Sequence, residues 1–126
     1  MTILHPTGSS LSESPMMEGL LYAGMEGGDV FVTRDDGKAW KRIDAGLPRK
    51  AVSRLIASKY DLGTVYLSMT GIRSDDTTAY LYRSTDFGAT WTSLAHNLPA
   101  EGINVIREDP RRPHVLYVGT NGGVFL

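Results

Sequence analysis

Thr33-Arg34-Asp35-Asp36-Gly37-Lys38-Ala39-Trp40 and Ser84-Thr85-Asp86-Phe87-Gly88-Ala89-Thr90-Trp91 are two copies of one pattern, Ser/Thr-x-Asp-x-Gly-x-x-Trp, set 51 residues apart. A pattern that returns at such a spacing marks a chain built from repeated units, each with a turn and an aromatic residue.

The repetition extends beyond the two boxes. Tyr22, Tyr66 and Tyr117 each sit inside an apolar stretch, at separations of 44 and 51 residues. Ser14-Pro15 falls on Asp109-Pro110 at the offset of 95 that relates Tyr22 to Tyr117, so residues 9–13, 52–57 and 103–108 become equivalent first strands. Glycine-rich turns at Gly27-Gly28 and Gly122-Gly123 feed third strands, and residues 79–83 take that place in the middle unit. After each box, residues 39–43 and 90–95 make fourth strands, closed by Gly46-Leu47-Pro48 and Asn97-Leu98-Pro99. Alternation of period two, with β-branched and aromatic residues and closely spaced turns, leaves no room for a helix.

The sequence therefore predicts an all-β chain of β-propeller blades, four-stranded antiparallel sheets numbering about three, the last incomplete. Residues 9–50 form blade 1, 51–100 blade 2 and 101–126 blade 3, with Leu126 standing where a third box is due. Residues 1–8 are an N-terminal segment and a candidate ring-closing strand.

The box chemistry reads as structural. Gly37 and Gly88 supply a backbone conformation that a side chain disfavours. The carboxylates of Asp35 and Asp86, and the hydroxyls of Thr33 and Ser84, accept from turn amides that otherwise lack partners. Trp40 and Trp91 close over the hairpin with a large apolar area and one polar handle. A calcium loop needs oxygen ligands at several alternating positions before the glycine and a distal bidentate Glu, and neither box offers them.

Composition narrows the function classes. The chain of 126 residues is 41% hydrophobic and 21% charged, with net charge −1 and no cysteine, which excludes disulfides and thiolate chemistry. Residues 1–36 hold six acidic side chains against Arg34, while the rest holds eight acids against twelve bases. The basic clusters Arg49-Lys50 and Arg111-Arg112 stand beside prolines and read as solvated turns, so no nucleic-acid partner is expected. No apolar run is long enough to span a bilayer, and Met1-Thr2-Ile3-Leu4 lacks the charged start of a signal peptide. The expectation is no membrane partner, no cofactor and a cytoplasmic location by default.

The boxes and the segments Tyr80-Leu81-Tyr82-Arg83 and Asn104-Val105-Ile106-Arg107-Glu108-Asp109-Pro110 resemble the Asp-box (bacterial neuraminidase, BNR) repeats of sialidases, sortilin-type propellers, xyloglucanases and photosystem II assembly factors. The resemblance covers about residues 9–126 and is strongest to large bacterial sortilin-like proteins labelled as glycosyl hydrolases. Gly71-Ile72-Arg73-Ser74-Asp75-Asp76 is similar to a recurring loop of that set, in which histidine stands at position 72. Thr33 and Ala39 make the first box an imperfect match to that family's repeat. The resemblance implies the fold; Asp-boxes occur in enzymes and non-enzymes alike, so it does not choose an activity.

Ligand chemistry on such a scaffold belongs to loops at the mouth of the central channel. Tyr22 to Thr33 is 11 residues and Tyr66 to Ser84 is 18, so the middle blade carries a seven-residue insertion within Met69 to Thr78. Arg73, Asp75 and Asp76 in that insertion are the candidate ligand-binding residues, against the plainer reading of a solvated turn. Arg107-Glu108-Asp109 is a weaker candidate. His5, His96 and His114 are scattered without metal-ligand spacing or a partnered serine, so no catalytic residue and no metal site is assigned.

Three blades leave two apolar faces and open sheet edges, an aggregation hazard unless covered. Two copies supply six blades, so a homo-oligomer, a dimer above all, is expected, with Thr2-Ile3-Leu4-His5 as the closing strand. The preferred function is a non-catalytic binding or scaffold module for a protein or glycan. The alternatives are a glycoside hydrolase fragment or subunit acting through Asp75 or Asp76, and a truncated product without an evolved role.

Overall fold

The computed structural model describes residues 10–71, 76–94, 103–112, 115–120 and 123–125. Among these every regular element is a strand. β1 (Ser10–Glu13), β2 (Leu21–Gly24), β3 (Val30–Thr33) and β4 (Lys41–Arg42) form one antiparallel meander. β5 (Ala51–Ala57), β6 (Val65–Gly71), β7 (Asp76–Ser84) and β8 (Thr92–Ser93) form a second, and β9 (Ile103–Glu108), β10 (Leu116–Thr120) and β11 (Gly123–Phe125) a third. Neighbours in sequence are neighbours in each sheet, as short connections dictate.

The fourth strands are shorter than the pattern predicts, two residues each in place of 39–43 and 90–95. The box turn holds the chain through Ala39 and Thr90, and a single further bond, Ile43 N–H to Val30 O or Leu94 N–H to Leu81 O (2.8 Å each), ends the pairing. The insertion of the middle blade builds strand as well as loop: β6 and β7 run 7 and 9 residues, against 4 and 4 for β2 and β3. Their register slips between Met69 and Gly71, a bulge that places Gly71 opposite Asp76.

Alternation along each strand points one set of side chains at the preceding blade and the other at the following one. Between blades 1 and 2, Tyr22, Val30, Val32 and Ile43 meet Leu55, Val65, Leu67 and Met69 in one core, where Tyr22, Val30, Val65, Leu67 and Met69 are fully buried. Tyr66 and Leu81 meet Ile106 and Val118 between blades 2 and 3. Each such side chain contributes about 1.5–3 kcal/mol when fully buried, so these seams, rather than the short strand ladders, hold the blades together. Gly24 permits the approach: a Cβ there would lie 2.4 Å from Val52 Cγ1.

Polar links fix the seams in register. Ala57 N–H donates to Ser12 Oγ at 3.1 Å and Val52 N–H to Met25 O at 3.1 Å. Glu108 accepts from Ser58 Oγ (2.6 Å) and from Lys59 N–H (2.8 Å) across the second seam.

Candidate functional site

Two ends of the blades carry different chemistry. The β1–β2 and β3–β4 turns share one end, where Asp36 N–H donates to Gly19 O (3.0 Å) and Phe87 N–H to Gly63 O (2.9 Å). The β2–β3 and β4–β5 connections share the other.

At the first end the two boxes adopt the same bonding. Thr33 Oγ1 donates to Asp35 Oδ1 (2.7 Å) and accepts from Gly37 N–H (3.1 Å), while Ala39 N–H donates to Asp35 Oδ1 (3.0 Å). Ser84 Oγ donates to Asp86 Oδ1 (2.7 Å) and accepts from Gly88 N–H (2.8 Å), while Thr90 N–H donates to Asp86 Oδ1 (2.9 Å). Thr33 and Ser84 are 1% exposed, so their hydroxyls serve the turn alone. Thr90 adds a hydroxyl bond to Asp86 Oδ2 at 2.6 Å, and with it the carboxyl falls to about pKa 2. Ala39 stands where Thr90 does and supplies no such bond; the Asp35 carboxyl is lowered chiefly by the Thr33 hydroxyl.

Gly37 and Gly88 have φ of 90° and 88°, and the residue before each is left-handed as well, Asp36 at 61° and Phe87 at 60°. Composition flags Asp for such a conformation but not Phe. Phe87 is held there by its amide bond to Gly63 and by the Arg34 guanidinium, 3.7 Å above its ring. A cleft of about 480 Å3 opens between the boxes, walled by Val32, Ile43, Trp40 and Phe87 with Asp35 and Asp86 at its rim. Trp91 Nε1 donates to Ile43 O across the seam at 2.7 Å, whereas the buried Trp40 Nε1 has no acceptor.

At the opposite end a charged network ties the Met25–Asp29 turn to the Asp44–Lys50 loop. Arg42 donates to Asp29 Oδ1 (2.7 Å) and through Nε to both Asp44 oxygens (3.0 and 2.9 Å). Arg49 donates to the same Asp29 oxygen and lies 3.8 Å from Asp44. Asp44 also accepts the Val30 N–H at 2.9 Å, which locks the network to β3. The Arg49 bond holds the Asp29 carboxyl below its usual value, and Asp44 raises the Arg42 guanidinium. Both arginine side chains remain 55% exposed, with donors to spare. These residues lie 2 to 20 positions apart, and no sequence pattern marked them as a group.

Of the sequence-predicted ligand residues, Asp76 opens β7 at this same end, while Arg73 and Asp75 lie outside the described residues, as do His5, His96, His114 and the candidate closing strand. Asp109 is engaged by the amides of Arg111 (2.8 Å) and Arg112 (2.9 Å) and by Tyr117 Oη (2.6 Å), which lower its carboxyl, the tyrosine foremost. Tyr22, the equivalent of Tyr117, has no partner for its hydroxyl, and burial pushes it up to about pKa 12. Among the described residues no group of three or more His, Asp or Glu is arranged to hold a metal ion.

Antiparallel four-stranded sheets packed face to face around adjacent first strands are the architecture of a β-propeller, and comparison with solved structures agrees. YCF48 bound to D1 peptide superposes with a TM-score of 0.57 at 17% identity, over 90% of this chain and 36% of that one. In sequence, the chain is 38% identical over 72 residues to vacuolar protein sorting/targeting protein 10 of Arthroderma benhamiae and, equally, of Trichophyton verrucosum. The matched stretch is 57% of this chain and spans 4% of the length of those relatives. No protein-family model matches.

Proposed function

We propose that the chain is a non-catalytic, sortilin-like propeller module that binds a polypeptide segment on the end carrying the β2–β3 and β6–β7 hairpins, its two boxes being structural Asp-boxes. The observation that carries this reading is the pairing, at one end, of a lengthened β6–β7 hairpin with a rigid Arg42/Arg49 network whose guanidinium groups keep free donors. A rigid scaffold with donors projecting from loops suits recognition of carboxylate and carbonyl groups along an extended chain. The partial similarity to a sorting and targeting protein, and the peptide held by the similar propeller, support a polypeptide over a glycan. The blades act as part of a closed ring, two copies of three sheets supplying six.

Panning a random-peptide display library on the immobilised chain, beside a glycan array, tests the proposal. Peptide binders should emerge, and Arg42→Ala or Arg49→Ala should weaken them about tenfold, the loss of one charge-assisted contact. Binding confined to glycans, or hydrolysis of a polysaccharide abolished by Asp75→Asn or Asp76→Asn, would overturn it.

A further inference from the structure

The internal seams show which positions meet across neighbouring blades. Ser12 on β1 points at blade 2, where its Oγ accepts the Ala57 amide, and Leu55 on β5 points back into the shared core at 3% exposure. Alternation then turns Leu11 and Glu13 away from blade 2. Leu11 holds the place of Leu55 in the repeat yet is 66% exposed, and Glu13, in the place of Ala57, is exposed beside it.

Blade 3 presents the converse. Ile106 and Val118 pack against Tyr66 and Leu81 of blade 2, so Arg107 and Tyr117 point the other way. Arg107 is exposed, and Tyr117 is half-buried where its equivalents Tyr22 and Tyr66 are buried in seams.

We propose that these two faces are halves of a third seam, made when a second copy of this chain sets its blade 3 against blade 1. The inference rests on the ring reading above and gives it a register. Carried over from the first seam, the correspondences seat Leu11 on the second copy's β9–β10 as Leu55 seats on β1–β2. They set Glu13, in the place of Ala57, opposite Arg107, in the place of Ser12. Charge agrees: Glu13 is exposed on the blade 1 face and Arg107 on the blade 3 face, with Arg111 and Arg112 exposed on blade 3 as well. The contact is head to tail, so two copies close with two identical seams.

Light scattering and sedimentation equilibrium at micromolar concentration on the whole chain decide the matter. The expected mass is twice 13.8 kDa. Leu11→Glu, at a position exposed in the single chain, should leave the circular dichroism spectrum unchanged while weakening association about tenfold per seam, about a hundredfold for two. Glu13→Arg or Arg107→Glu alone should weaken it less, and the double variant should recover. A wild-type monomer would sink both the seam and the ring. A wild-type dimer indifferent to Leu11→Glu and to both charge reversals would sink this seam and leave the ring standing.

Discussion

Gly88 and Gly46 offer a controlled pair for measuring how tightly blades 1 and 2 approach. Their backbones are nearly identical, φ 88° and 85°, so alanine at either meets the same left-handed strain, about 1–2 kcal/mol, offset by the same entropy loss in the unfolded chain. Their surroundings differ. A Cβ on Gly46 meets nothing within 4 Å, whereas on Gly88 it would fall 2.3 Å from Ile43 Cδ1, 3.0 Å from Ile43 Cβ and 3.1 Å from Ile43 Cγ1. The far methyl can swing aside, and Cγ1 can turn about χ1 only by leaving its rotamer, but Cβ moves only with the backbone of Ile43. Overpacking of that kind costs about 1–3 kcal/mol, so Gly88→Ala should lose that much more stability than Gly46→Ala. Urea denaturation followed by tryptophan fluorescence, at one protein concentration, reads the difference. Ile43→Val removes the nearest atom, so Gly88→Ala should cost less in that background. Equal losses for the two glycine variants would refute the account of a seam closed onto Gly88.

The two tryptophans make a second pair: Trp91→Phe strands the Ile43 carbonyl and should cost about 1–3 kcal/mol more than Trp40→Phe, which gives up no hydrogen bond; equal costs in denaturant titrations would count against the Trp91 bond. Because the Asp86 carboxyl ionises at about 2 when folded and at about 3.9 when unfolded, its stabilisation is complete above pH ~4 and is lost as pH falls through 2. Melting temperatures of Asp86→Asn should accordingly vary less between pH 4 and 2 than those of the wild type, and parallel profiles would show that the Thr90 and Ser84 bonds do not hold the charge.

Much of this architecture was legible because its determinants are local. Eight residues contain the whole bonding scheme of a box, so Thr33, Asp35 and Gly37, or Ser84, Asp86 and Gly88, can be read as a unit wherever they occur. The strand positions followed from alignment of the three tyrosines, since equivalent residues in a repeat face equivalent seams. Local pattern misjudged lengths. It read the middle-blade insertion as a loop, where the ladder of β6 and β7 runs on to Gly71 and Asp76, and it drew the fourth strands too long because box bonds compete with strand pairing.

By itself the sequence determined the repeat, the all-β class and the turn chemistry, all of which depend on neighbours a few residues away. Tertiary structure decided what depends on distant neighbours. Phe87 keeps a left-handed backbone because Gly63 and Arg34 hold it, and the aligned Tyr22 and Tyr117 hydroxyls differ because Asp109 stands beside only one. Arg42 and Arg49 form a network with Asp29 and Asp44 only once two loops meet at one end of a blade. Leu11 is an ordinary strand leucine until packing shows that its counterpart Leu55 is buried and it is not.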